Sequence, residues 1–244
     1  MKSRFMKVTR IGVASLIVLA AACGVALAFA LPAAAAAVCP SCYGFEYVAE
    51  RTFVESGASP EERARLAAVV AEGRQRVQSF WGTLGAAPKV LVCTTENCFR
   101  RIGGGRRRGM SVFDRVAILS PLGSDAVIAA HELSMNELNH RIGALGVLRG
   151  TVPIWFNEGI AMYASDDLRY LAPPGAGDRC LVPAAEPLPV GVFEWNRRAL
   201  NDNRLYAKAA CSTSRWISLH GGPSAAVSLV SKVSAGAAFQ EAAR

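Results

Sequence analysis

The sequence predicts an α+β protein with a small mixed or antiparallel sheet, one long motif-bearing helix and a helical C-terminal part. Three observations carry this. Short β-branched runs, Val90-Leu91-Val92 and Ser111 to Ser120, are interleaved with segments whose apolar residues recur at helical spacing. Ser124-Asp125 is a helix start, and the periodicity behind it continues to about Gly143. Beyond the prolines of Pro173 to Pro189, helical patterns cover Arg204 to His220 and Pro223 to Ala242.

The chain opens on Lys2, Arg4, Lys7 and Arg10, succeeded by Ile11 to Val38 without a charge. Basic residues ahead of an apolar stretch orient it with its N-terminus cytoplasmic and the downstream chain outside. Residues 1–38 are therefore expected to be a signal peptide or a membrane anchor, and 39–244 an exported domain. Ala26-Leu27-Ala28 offers a cleavage site, while the stretch exceeds the ~20 residues that span a bilayer. Lipid attachment at Cys23 is the weaker alternative, because Leu19 is one position off the usual spacing. The roughly 200 residues that remain suit one domain.

Six cysteines lie beyond the leader: Cys39, Cys42, Cys93, Cys98, Cys180 and Cys211. An even set in an exported chain reads as disulfides, with Cys93 and Cys98 the most local pair. A zinc ribbon at Cys39-Pro40-Ser41-Cys42 would need a second CxxC, which the spacing of Cys93 and Cys98 does not supply. The formal charge of +8 includes the four leader cations, and nucleic acid is not an expected partner of an exported domain. Arg100, Arg101, Arg106, Arg107 and Arg108 surround Gly103-Gly104-Gly105. Such a cluster reads first as a solvated turn between strands, and otherwise as a contact for anionic lipid or an acidic substrate.

Ser59-Pro60-Glu61-Glu62 combines an N-cap, a first-turn proline and a capping-box glutamate, and Leu66, Val69, Val70, Val77, Phe80 and Trp81 continue the helix. After Val90-Leu91-Val92 and Ser111 to Ser120, the chain breaks at Pro121-Leu122-Gly123. The helix from Asp125 places Val127, His131, Met135, Leu138 and Ile142 on one stripe, which by itself reads as core. Pro153 opens a second helix to about Ala164, with Glu158 on the same face as Ile154 and Met162. An inward carboxylate costs several kcal/mol unless a metal, an imidazolium or a guanidinium meets it.

The informative stretch is His131-Glu132-Leu133-Ser134-Met135, with Asn157-Glu158-Gly159 further along the chain. It resembles the HExxH and distal glutamate of the gluzincin, or peptidase-MA-like, zinc metallopeptidases. Residues four apart on a helix share a face, so two histidines grip one ion while the intervening glutamate meets its water. The resemblance implies a zincin-like fold, zinc as cofactor, His131 and Glu158 as metal ligands, Glu132 as general base and a peptide or protein as substrate. Met135 stands where the second histidine belongs, and a neutral thioether is a poor zinc ligand. Asn136-Glu137-Leu138-Asn139-His140 is the complementary half-motif, but at ~100° per residue His140 lies on the opposite side of the helix from His131.

His220, Asp166 and Asp167 remain as further ligands, and Tyr163, Tyr206 and His220 as groups to stabilise a transition state. Strand Arg115 to Ser120 is the expected edge for an extended peptide. Two functions are compatible with these residues: an envelope zinc peptidase, or a non-catalytic descendant that binds a peptide or partner in its cleft.

Overall fold

The computed structural model describes residues 31–183 and 187–244. Its architecture is α+β, with a five-stranded mixed sheet in the order β1-β2-β3-β5-β4. The strands are β1 (Phe45–Ala49), β2 (Thr52–Glu55), β3 (Lys89–Val92), β4 (Gly109–Val112) and β5 (Val116–Leu119). β1 and β2 form an antiparallel hairpin that the periodicity did not announce; β3 runs parallel to both β2 and β5, and β4 returns antiparallel to β5.

From Val90 onward β3, and the whole of β5, is apolar without a break because both faces are covered. Val90, Val92, Ala117 and Leu119 face the large helical layer, whereas Leu91, Val116 and Ile118 face a smaller cluster with Phe99 and Ile102. The small side includes α1 (Pro32–Val38), whose Ala33 and Ala36 are buried there, and α3 (Glu96–Arg101). The end of the expected leader is thus packed into the fold. Its remainder, including Cys23 and Ala26-Leu27-Ala28, lies outside the described residues. Among the described residues no helix is long and apolar enough to cross a membrane.

The large layer contains α2 (Pro60–Trp81), α4 (Ala126–Arg149) and α5 (Ile154–Ser165), and then α6 (Val192–Ala199), α7 (Leu205–Leu219), α8 (Pro223–Ser234) and α9 (Phe239–Ala242). The expected caps close α2 and α4: Ser59 accepts the Glu62 amide at 3.2 Å and Asp125 that of Ile128 at 2.9 Å. Helix α4 continues past Gly143 to Arg149, with a break in helical geometry at Gly143, where φ is 70°. α4 crosses α2 at Gly73, where an added Cβ would lie 2.7 Å from that of Ala129. Gly159 performs the same service between α5 and α7, since its Cβ would meet Thr213 Oγ1 at 2.0 Å.

Three disulfides, Cys39–Cys42, Cys93–Cys98 and Cys180–Cys211, use all six cysteines beyond the leader. The CxxC therefore belongs to a disulfide and not to a metal ribbon. Cys180–Cys211 ties the proline-rich connection to α7, and Leu171, just ahead of that connection, makes an isolated bridge to Cys180.

Two sequence expectations need correction. Ser111 to Ser120 is not one strand, because the chain turns at Phe113 with φ of 47° and makes a hairpin of β4 and β5. Consequently Arg115 to Ser120 is not an edge: β5 lies between β3 and β4, and β4 is the terminal strand.

Candidate functional site

A cleft of about 550 Å³ opens between β4, α4, α5, α6 and α7. Its size lies within the range of ordinary ligand pockets. Helix α4 contributes Ile128, His131, Glu132 and Met135, and α5 contributes Ile154 and Glu158. Arg106 to Ser111, with Arg169 and Tyr170, form further wall, and Val192, Trp195, Asn196 and Tyr206 line the cleft from the C-terminal helices. Met135 is thus a cleft residue rather than core. Leu138, on the same expected stripe, is fully buried in the main core. The stripe divides because α4 is covered on nearly all sides and the cleft cuts into only one stretch of it.

His131, Glu132 and Glu158 do converge. His131 Nε2 lies 3.3 Å from Glu158 Oε2, with both side chains almost buried. Burial works against the imidazolium, but the hydrogen bond to Glu158 and the charges of Glu132, Glu158 and Asp167 outweigh it and raise the His131 pKa. Glu132 is buried beside this pair. Loss of solvent, opposed by His131 and reinforced by Glu158, pushes its carboxyl up to about 7. It sits hard against β4, since a Cβ at Gly109 would come within 2.6 Å of Glu132 Oε1. Gly109 is what lets the edge strand approach this carboxyl.

The position of the missing histidine is filled by the Met135 thioether, whose Sδ lies 3.7 Å from Ser111 Oγ. None of the other sequence candidates completes a metal site. His140 pairs with Asp114 at 3.2 Å on the far side of α4, and His220 is exposed, stacked on Trp216. Asp166 pairs with Arg179, and the buried Asp167 accepts Arg169 Nε at 2.8 Å. Among the described residues no three His, Cys, Asp or Glu side chains form a group able to hold a metal. Catalytic zinc takes three protein ligands; His131 and Glu158 offer two, and the Met135 thioether is a poor third.

Of the expected transition-state groups, only Tyr206 reaches the cleft. Burial, with the Glu158 charge behind it, pushes its phenol up to about 12, which keeps it a neutral donor. Tyr163 is packed on Phe80 in the core and lies beneath the Arg179 guanidinium. Tyr170, stacked on Tyr206 with centroids 5.6 Å apart, and Trp195, edge-on to Tyr206 at 5.1 Å, were not expected here. Trp195 escaped notice because α6 comes directly after the proline-rich loop; the i, i+3, i+7 spacing of Val192, Trp195 and Ala199 was the available signal. The arginines are also better placed than a solvated turn requires: Arg106, Arg107 and Arg108 line the cleft. Comparison of the chain with protein-family models, curated proteins and solved structures finds no match.

Proposed function

We propose that this is an exported peptide-binding protein on a zincin-like metallopeptidase plan, whose cleft captures an extended peptide instead of hydrolysing it. One observation carries the reading: His131 and Glu158 meet at 3.3 Å in an almost buried pair, and the position of the second motif histidine holds Met135. Each charged partner satisfies the other, so the acid on α5 needs no ion to offset its burial. The HExxH-like helix and the distal glutamate persist as a scaffold. Peptide recognition falls to β4, the terminal strand, whose Gly109, Met110 and Ser111 border the cleft and whose backbone offers main-chain pairing. Export is supported by the basic and apolar leader together with three disulfides. The uncharged stretch would deliver the domain across a membrane or hold it there.

A second reading, zinc-dependent hydrolysis, is favoured by the same 3.3 Å. Two ligands about 2.0–2.1 Å from a tetrahedral zinc stand about 3.4 Å apart. In that reading His131 and Glu158 hold zinc and Glu132, with its carboxyl near neutrality, is the base. Incubation of the purified protein with a peptide library in added zinc separates the two. Peptide retention without cleavage is expected. Cleavage abolished by Glu132→Gln would establish the hydrolase.

A further inference from the structure

We infer that the cleft recognises a carboxylate of its peptide, through Arg106 and Arg107. The inference rests on the peptide-binding reading and adds its chemical class. The loop after α3 brings Arg106, Arg107 and Arg108 to the cleft, and the three do not have the same task. Arg108 is tied down, donating from Nη1 to the Leu122 carbonyl at 2.9 Å. Arg169, on the same wall, is neutralised by the buried Asp167. Arg106 and Arg107 are exposed, and among the described residues no carboxylate lies within ion-pair distance of either.

A second observation points to the same ligand. Trp195 is buried in the cleft lining, and its indole Nε1 has the neighbouring Tyr206 phenol within its influence but no well-formed hydrogen bond to it or to any other group among the described residues. Indole is a donor only, and a buried donor of this kind is costly unless an acceptor arrives. With the neutral Tyr206 phenol and two free guanidiniums, the cleft presents donors to an acceptor-rich, negatively charged group. Met110, Ile128, Met135 and Ile154 line the same cleft with apolar surface. That combination fits apolar side chains alternating with, or ending on, a carboxylate in a strand laid against β4. The carboxylate is either that of an Asp or Glu side chain or the peptide's own C-terminus; both offer the same planar pair of oxygens to a guanidinium.

The test is an array of randomised hexapeptides in four forms, with and without acidic residues and with free or amidated C-termini, read by fluorescence binding of the full chain. Acidic or free-ended forms should bind tighter than the neutral amidated form, with the advantage decreasing as salt increases. Arg106→Gln with Arg107→Gln should remove the advantage, roughly tenfold for each guanidinium lost. Charge reversal at both positions, Arg106→Glu and Arg107→Glu, should turn the preference toward lysine-containing peptides, a gain that a misfolded variant would not display. Preference for side-chain acids over free ends, or the reverse, identifies the source of the carboxylate. Equal binding of all four forms would overturn this inference while leaving peptide capture standing; binding of none would overturn both. If the arginine pair is instead needed for binding to vesicles of anionic lipid, with no effect on peptides, the wall is a membrane contact and the inference fails.

Discussion

Helix α4 carries two successive five-residue segments, His131 to Met135 and Asn136 to His140, and the fold uses them in opposite ways. Both contain a buried glutamate, at position 132 and at 137. Glu137 is fully provided for: it accepts the Gly85 and Ala86 amides at 3.0 and 2.8 Å and Arg141 Nε at 2.8 Å. Glu132 has no comparable set of donors, and burial drives its carboxyl toward neutrality. Asn136 and Asn139 donate to the Phe113 carbonyl, holding the hairpin turn at its left-handed residue. His131, in contrast, has a buried Nδ1 without a partner. One segment is a fastening between α4, the 85–86 loop and the β4–β5 turn. The other is open to chemistry, and the difference lies in which polar atoms the rest of the fold satisfies.

The largest way to break this contrast is Glu137→Ala, which strands two amides and a half-buried guanidinium. It should cost roughly 3–5 kcal/mol, a fall in melting temperature on the order of 10 °C. Thermal denaturation that leaves the midpoint unchanged would remove the fastening role. Asn136→Ala loses the bonds to the Phe113 and Val116 carbonyls, and a smaller cost of about 1–3 kcal/mol is expected in urea unfolding.

Glu132→Gln should act in the opposite sense. The Glu132 pKa is raised on folding from 4.5 to about 7, so the folded chain holds the extra proton between those values. Its contribution to stability is then greatest below 4.5 and is lost as the pH rises through about 7. The amide variant should therefore gain on the parent at pH 8 and match it more closely at pH 4, as read from paired melting curves. A variant less stable at pH 8 would show that Glu132 is ionised and well paired.

Much of this contrast was legible in local sequence. Ser59 and Asp125 announced their helices through caps that depend on neighbours in the chain, and Pro153 marked the entry to α5. The convergence of His131, Glu132 and Glu158 was what the resemblance to the HExxH and distal-glutamate pattern implied. Features decided by distant partners were not legible. Whether β5 or β4 is the edge depends on parallel pairing with β3, and the Arg115 to Ser120 reading failed there. The helical stripe predicted core for Met135 because periodicity reports a buried face without distinguishing core from cleft wall. Gly109 and Gly159 matter through close approach, which leaves no local pattern, while the helical spacing around Trp195 marks a buried face without announcing the cleft it lines.

On the proposed reading, α4 keeps a metallopeptidase-like arrangement without its metal. Zinc content of the purified chain and of Met135→His, measured by mass spectrometry after equilibration with zinc, decides it. The parent should carry far less than one equivalent, and the variant should take up about one, because imidazoles four apart on the helix then join Glu158. A full equivalent on the parent, lost in His131→Ala, would contradict the claim.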